Sequence, residues 1–598
     1  MTPNPLVEFL ASYGPQASSN NLYDEFVVNA AQKTGCAPLE IEQPLIDQVI
    51  KWLQELSPKS IILTGTAGDG KTYTARRVME GIVDSGKAWG STEKIFEVAY
   101  SPASQHTLCF IKDLSELKES EKDDVFNDIC DALAGKGHNT YIICVNDGHL
   151  LKFFRDRGEK GRVLHQRIAS MLRNDQQLDD DLHFRLINMS RQSHRDLFER
   201  IVEAIVSHSD WEKCHGCPVL TSQEQPCPIR KNRDVLLQKD PASMRARLKD
   251  MIRIAAADGE HLSVRQLILL TVNILLGDQK PGKELLTCHK AKNRASRNEY
   301  NVTNPYANVF GENLGERQRK QYGAFSVLGE FGVGYETNNF FDHSLLWSSS
   351  CLPVDDIYGD RIFSVYLKDY REDPSENAYR FRRAMLEQRR RLFFSLDSDV
   401  ANVRDEPRQN PWNLSVFKYG ATYIELANQA INTKPIPLSI VKPLIRGLNR
   451  MMVGEMTIAD DRLWLTEPSG VYLGQAVPLL ITHAGRKVDG TTYISFPTIE
   501  EDGKAPILRL TPLQREDLAV DLHLRPTLVE CILRIAHGAM PASFSSECRR
   551  DIERFQLKVA TAMNQASGEH QPQPQEISMI AGRLQNHPIT ALTEEEGW

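Results

Sequence analysis

The chain has no long hydrophobic run. Crossing a membrane takes ~18 or more consecutive apolar residues, and the best candidate, Leu267 to Leu276, is broken by Thr271 and Asn273. It also lacks a basic leader. "MTPNPLVEFLAS" opens without Lys or Arg, so no signal peptide is expected. Its eleven cysteines are an odd, scattered set rather than a disulfide framework, which points to a reducing, cytoplasmic setting. Charge of one sign is lacking too. The 71 Lys and Arg against 79 Asp and Glu leave a net charge of −8, so any nucleic acid would have to be met by local patches. There is no internal repeat, and no Asp/Glu-x-Lys triplet sits at the end of a convincing strand pair as a nuclease would need. What remains is an ordinary globular composition, 41% apolar and 25% charged, over 598 residues, enough for three or four domains.

The most informative stretch is "IILTGTAGDGKTYTARRVME", Ile61 to Glu80. It contains Gly65-x-x-x-x-Gly70-Lys71-Thr72, the phosphate-cradling P-loop pattern. The glycines let backbone N–H groups of Gly65, Thr66, Ala67, Gly68, Asp69, Gly70, Lys71, Thr72 and Tyr73 curl around an anion, and the following helix aims its positive end at the same place. Lys71 would reach the outer phosphates of ATP, and the Thr72 hydroxyl would bind Mg²⁺. The context fits the motif: Ser60 to Thr64 reads as a buried strand and Tyr73 to Val83 as a helix.

Three more strands are expected, each ending in polar residues. "HTLCFIKD" ends at Asp113, "TYIICVND" at Asp147 and "HFRLINMS" at Ser190. Helical stretches lie between them, such as Lys122 to Leu133, and strands alternating with helices predict an α/β fold with a parallel sheet. Ligands of such sheets bind at the carboxyl ends of the strands, so these polar residues should converge on the P-loop mouth. Asp113 is the candidate second Mg²⁺ carboxylate; the bland alternative is a turn cap. The residue after it is Leu114, where many ATP-hydrolysing P-loop proteins carry a water-activating Glu. Glu116 or Asp147 would have to substitute, or hydrolysis is slow or completed by a neighbouring subunit. Asn146 stands where AAA-type ATPases carry a polar sensor. Arg191 and Arg265 are candidate γ-phosphate contacts, in cis or across a subunit interface.

Outside this core, Cys214-x-x-Cys217 followed by Cys227 suits a structural zinc knuckle, with His215, His208 or the remote Cys288 as the fourth ligand; three reduced cysteines in a loop is the alternative. "RFRRAMLEQRRR", Arg380 to Arg391, carries six arginines on an expected helix over 376–394. With "HKAKNRASR" at 289–297 it is the candidate contact for double-stranded DNA; the alternative is a solvated charged face. The predicted organisation is an N-terminal helical segment 1–57, a P-loop NTPase core 58–210, a Cys-containing loop and helical lid 211–285, a mostly helical basic region 286–455, a mixed α+β C-terminal domain 456–565, and a linker with an acidic tail 566–598.

"LTGTAGDGKT", "CVNDGHL", the CxxC…CPI segment, "GLNRMMVG" and "AHGAMPASFSSECRRDIERF" together resemble large, AAA-like P-loop ATPases of bacterial anti-phage defence islands. Among these are the ATPase subunits of multi-protein DNA restriction systems, including those that depend on DNA phosphorothioation. The resemblance implies an ATPase working in a hetero-complex or oligomer with nuclease or helicase partners against foreign DNA. Carried over by position, it supports Gly65, Gly70, Lys71, Thr72, Asp113 and Asn146 in the nucleotide site. Two rival expectations are a nucleotide-binding scaffold that barely hydrolyses ATP, favoured by Leu114, and a P-loop phosphotransferase, disfavoured by the ~400 residues beyond the core.

Overall fold

The computed structural model describes residues 3–15, 30–31, 33–55, 57–82, 89, 93–99, 107–137, 139–217, 219, 224–280, 285–347, 357–397, 409–454, 456–466, 476–480, 492–499, 503–512, 515–567, 575–580 and 583–588. The chain divides into two compact units. One comprises 1–239 and 261–328, the other 240–260 and 329–598. The two helices expected to form one lid fall in different units: Met244–Ala257 in the second and Val264–Leu276 in the first.

The first unit is built on a five-stranded sheet of β1 (Ser60–Thr64), β2 (Ile95–Ala99), β3 (Thr107–Ile111), β4 (Asn139–Cys144) and β5 (Phe184–Asn188), in the order β2-β3-β4-β1-β5. β1 runs parallel to β4 and β5, and β3 parallel to β4. The sheet is thus mostly parallel, not wholly so: β2, which the sequence did not announce, pairs antiparallel with β3 at the edge. Every residue of β1 is buried, as a central strand covered on both faces requires. Its side chains alternate. Ile61 and Leu63 join Phe110, Ile142 and Val78 on one face, covered by helices Pro44–Leu53 and Lys71–Ile82. Ile62 joins Ile111 and Ile143 on the other, covered by helices Glu119–Leu133, Asp147–Arg155 and Gly158–Asn174. Each fully buried Ile or Leu contributes roughly 1.5–3 kcal/mol, so these two layers fix where the strand ends lie.

The second unit packs helices Met244–Ala257, Pro374–Ser395, Gly420–Ile431, Leu438–Val453, Pro526–Ala536 and Ser546–Ser567 with small antiparallel sheets. β8 (Thr492–Ser495), β9 (Ile507–Pro512) and β10 (Val520–His523) form one sheet, and β6 (Arg462–Thr466) pairs with β7 (Ala476–Leu480). Strand Gln575–Ile580 pairs with Arg583–Pro588, where only linker was expected; the acidic end lies outside the described residues. Among the described residues no helix is long and apolar enough to cross a membrane.

The basic helix forms, and its six arginines divide into an exposed set and an inward-turned set. Asp373 caps its start by accepting from the Ser375 and Glu376 N–H groups, ahead of Pro374. Arg380, Arg382 and Arg383 are exposed. Arg389 instead makes a two-pronged pair with Asp342 at 2.7 and 3.0 Å. Arg390 and Arg391 are buried, donating to Val333 O and to Gln388 Oε1. In the other basic stretch Arg294 is paired with Asp278 and Glu299.

Candidate functional site

The loop between β1 and helix Lys71–Ile82 follows from its glycines. Gly65, Gly68 and Gly70 have φ of +136°, +93° and +85°, a region that L side chains rarely adopt. A Cβ on Gly65 would also meet Asp69 Oδ2 at 2.8 Å and the Ser190 backbone N at 3.1 Å. The loop ends at the N-terminus of a 12-residue helix, which adds its positive end.

Lys71 is only 8% exposed. Its Nζ donates to Gly65 O at 3.2 Å, Thr66 O at 2.7 Å and Asn146 Oδ1 at 2.8 Å. Burial lowers its pKa; the nearby charges of Asp69, Asp113 and Asp147 oppose that. The strand-end residues therefore do converge, as the parallel strands of one edge should. Asn146 caps helix Asp147–Arg155 by position but spends its side chain on Lys71 rather than on the helix. Asp147 Oδ1 accepts from Thr64 Oγ1 in a short contact. Thr72 Oγ1 donates to Lys112 O at 3.4 Å, beside Asp113. Asp113 has the cap role as well, accepting from Ser115 N at 2.8 Å and Ser115 Oγ at 2.6 Å.

Other expected residues are placed differently. Glu116 is exposed, while Leu114 is buried, so no carboxylate stands directly beside Asp113 in the chain. The Tyr73 hydroxyl bonds the Ile41 backbone. Arg191 has a half-exposed side chain and pairs with Asp175 at 3.9 Å. Arg265 touches the loop through its backbone: its N–H donates to Gly68 O at 3.2 Å, at the start of helix Val264–Leu276. That helix is locked by a capping box of Ser263 and Gln266.

The residues that sequence reasoning missed surround Asp69. This carboxylate accepts from Thr66 N at 2.7 Å, Thr66 Oγ1 at 3.0 Å and Ser190 Oγ at 2.7 Å. His261 Nε2 meets its other oxygen at 2.8 Å, and His261 Nδ1 meets His194 Nε2 at 2.8 Å. Burial pushes the Asp69 carboxyl up, but the bonds from His261, Ser190 and Thr66 outweigh it and leave the pKa below the usual carboxylate range. An ionised Asp69 only accepts. His261 therefore donates from Nε2 to Asp69, and a single proton lies between His261 Nδ1 and His194 Nε2. Ser190 could be found as a polar strand-end residue. His261 and Asp69 are 192 positions apart, and no local pattern links them.

The thiols of Cys214, Cys217 and Cys227 line one cavity together with Cys288. His215, named as a ligand candidate, is exposed and is not part of that lining. Among the described residues no group of three or more His, Cys, Asp or Glu is arranged to hold a metal ion. No family model, no curated protein and no solved structure matches this chain.

Proposed function

We propose that the chain is a Mg²⁺-dependent ATPase that serves as the nucleotide-driven switch or motor of a bacterial DNA restriction complex. The observation that carries the ATPase reading is Lys71, a buried cation held by Gly65, Thr66 and Asn146 at the head of a loop of three left-handed glycines. Bound ATP supplies the phosphoanhydride. Lys71 and the loop N–H groups hold its outer phosphates, Thr72 with Asp113 or Asp147 holds Mg²⁺, and Asn146 orients the attacking water. The restriction-complex part and the nuclease or helicase partners rest on the motif resemblance, and the cytoplasmic location on the scattered cysteines.

A second reading is favoured by Leu114 and Asp113. The chain offers no adjacent carboxylate, and the Asp113 side chain already caps a turn. Unassisted hydrolysis is then slow, and binding alone sets the switch. Nucleotide titration together with single-turnover hydrolysis separates the two. Binding with a rate near the uncatalysed one supports the second reading, and absence of binding removes both.

A further inference from the structure

We propose that Cys214, Cys217, Cys227 and Cys288 are the four ligands of a structural zinc site, with Cys288 rather than His215 closing the set. Three separate stretches bring four thiols to a single cavity, whose other walls include the apolar Val7, Trp211, Val219 and Ile229. Sulfur-only sets select zinc among the common divalent ions.

A buried asparagine donates to two of the sulfurs. Asn4, itself 5% exposed, donates its backbone N–H to Cys288 Sγ at 3.3 Å and its side-chain amide to Cys214 Sγ at 3.1 Å. Cys227 stands at the N-cap of the ten-residue helix Pro228–Leu237. Cys288 is the first residue of helix Cys288–Ser296. Such N–H donors around the sulfurs orient metal ligands and hold their charge. Four thiolates and one Zn²⁺ leave two negative charges, and Arg230 and Lys292 border the same cavity.

All four cysteines are free thiols here. Zinc binding to thiols releases their protons. Since no group of three ligands is preset for an ion, the side chains must turn inward around it. The gain would be a tie between the N-terminal helix Pro5–Ala11, the loop from Cys214 to Cys227 and helix Cys288–Ser296, in a stretch with little apolar content of its own.

The test uses the full chain, purified without chelator or metal-affinity resin. Metal analysis should find about one zinc per chain, and a mercurial titrant should release it as four thiols react. Co²⁺ exchanged into the site should show the visible spectrum of a tetrahedral tetrathiolate. His215→Ala and Lys71→Ala should keep the metal, whereas Cys288→Ser should lose it or weaken it by at least ~10-fold. Wild-type protein with no zinc and four freely reactive thiols overturns the proposal. So do four cysteines found as disulfides, or zinc lost in His215→Ala and retained in Cys288→Ser. Because Lys71→Ala leaves the site intact, failure here is distinct from failure of the nucleotide reading.

Discussion

At the residue scale the glycine loop is organised by Asp69, which binds Thr66, Ser190 and His261, and by Lys71, which binds Gly65, Thr66 and Asn146. Asp69 takes up donors that a phosphate would use, the Thr66 N–H among them. Asp69→Asn removes a negative charge beside the phosphate position, worth ~1 kcal/mol in a partly solvated site. ATP should then bind roughly 3–10-fold tighter in an equilibrium titration; weaker binding would mean that Asp69 holds the loop open rather than plugging it. His194 carries a pH signature. Burial, with His261 beside it, lowers its pKa from 6.5 to about 4. Between those values the unfolded chain binds a proton that the folded one does not. Stability is therefore complete above the unfolded pKa and falls as pH drops toward about 4, by on the order of 3 kcal/mol. The melting temperature should decline from pH 7 to pH 5, and His194→Gln, which keeps an N–H for His261, should flatten that decline. An unchanged slope in the variant would refute the assignment.

At the element scale, the sequence made legible those features that local pattern and packing both favour. β1, β3, β4 and β5 were readable because each is a short apolar run closed by polar residues, and the sheet buries both faces of the central ones. β2 was missed because the exposed Glu97 interrupts its short apolar run. The pairing of Gln575–Ile580 with Arg583–Pro588 was hidden by Gln and Pro, which read as linker. His261 could not be assigned from sequence, and Cys288 stayed one of three open candidates beside His215 and His208, since only the tertiary fold brings them to Asp69 and to the other cysteines. For the helix Pro374–Ser395 the position was plain, but the division of its arginines between surface and interior was not. A run of arginines looks like a solvated or DNA-facing surface, yet Arg389, Arg390 and Arg391 are used inside the second unit. Arg390 and Arg391 are buried and donate to Val333 O and Gln388 Oε1, and a carboxylate in their place would be a buried charge facing acceptors, so Arg390→Glu or Arg391→Glu should lower the melting temperature sharply. Arg380→Glu with Arg382→Glu should not. If this helix meets DNA, the second pair is the one that weakens binding and reduces its salt dependence by about two units of slope. DNA affinity untouched by that pair would exclude the helix as a phosphate contact.

At the scale of the whole molecule, the proposed switch needs a γ-phosphate arginine and a water-activating carboxylate, and neither Arg191 nor Glu116 is held at the loop among the described residues. Leu114 follows Asp113, Glu116 is exposed, and Arg191 is half exposed and paired only loosely with Asp175. The isolated chain should therefore turn ATP over slowly, and assembly with itself or with partner proteins should raise the rate, as supplying an arginine does by ~10³-fold or more. Arg191→Ala should abolish the stimulated rate and leave nucleotide affinity unchanged; full stimulation in that variant would exclude Arg191. All of this depends on the glycine loop being a phosphate site. The most direct test is a titration of Mg·ATP against wild-type protein and against Lys71→Ala, with folding of both checked by melting curves. The account predicts saturable, Mg²⁺-dependent binding to wild type and a loss of at least ~10-fold in the variant, the worth of a charge-assisted hydrogen bond to phosphate. Equal affinity in the two, or no binding to wild type, would contradict it.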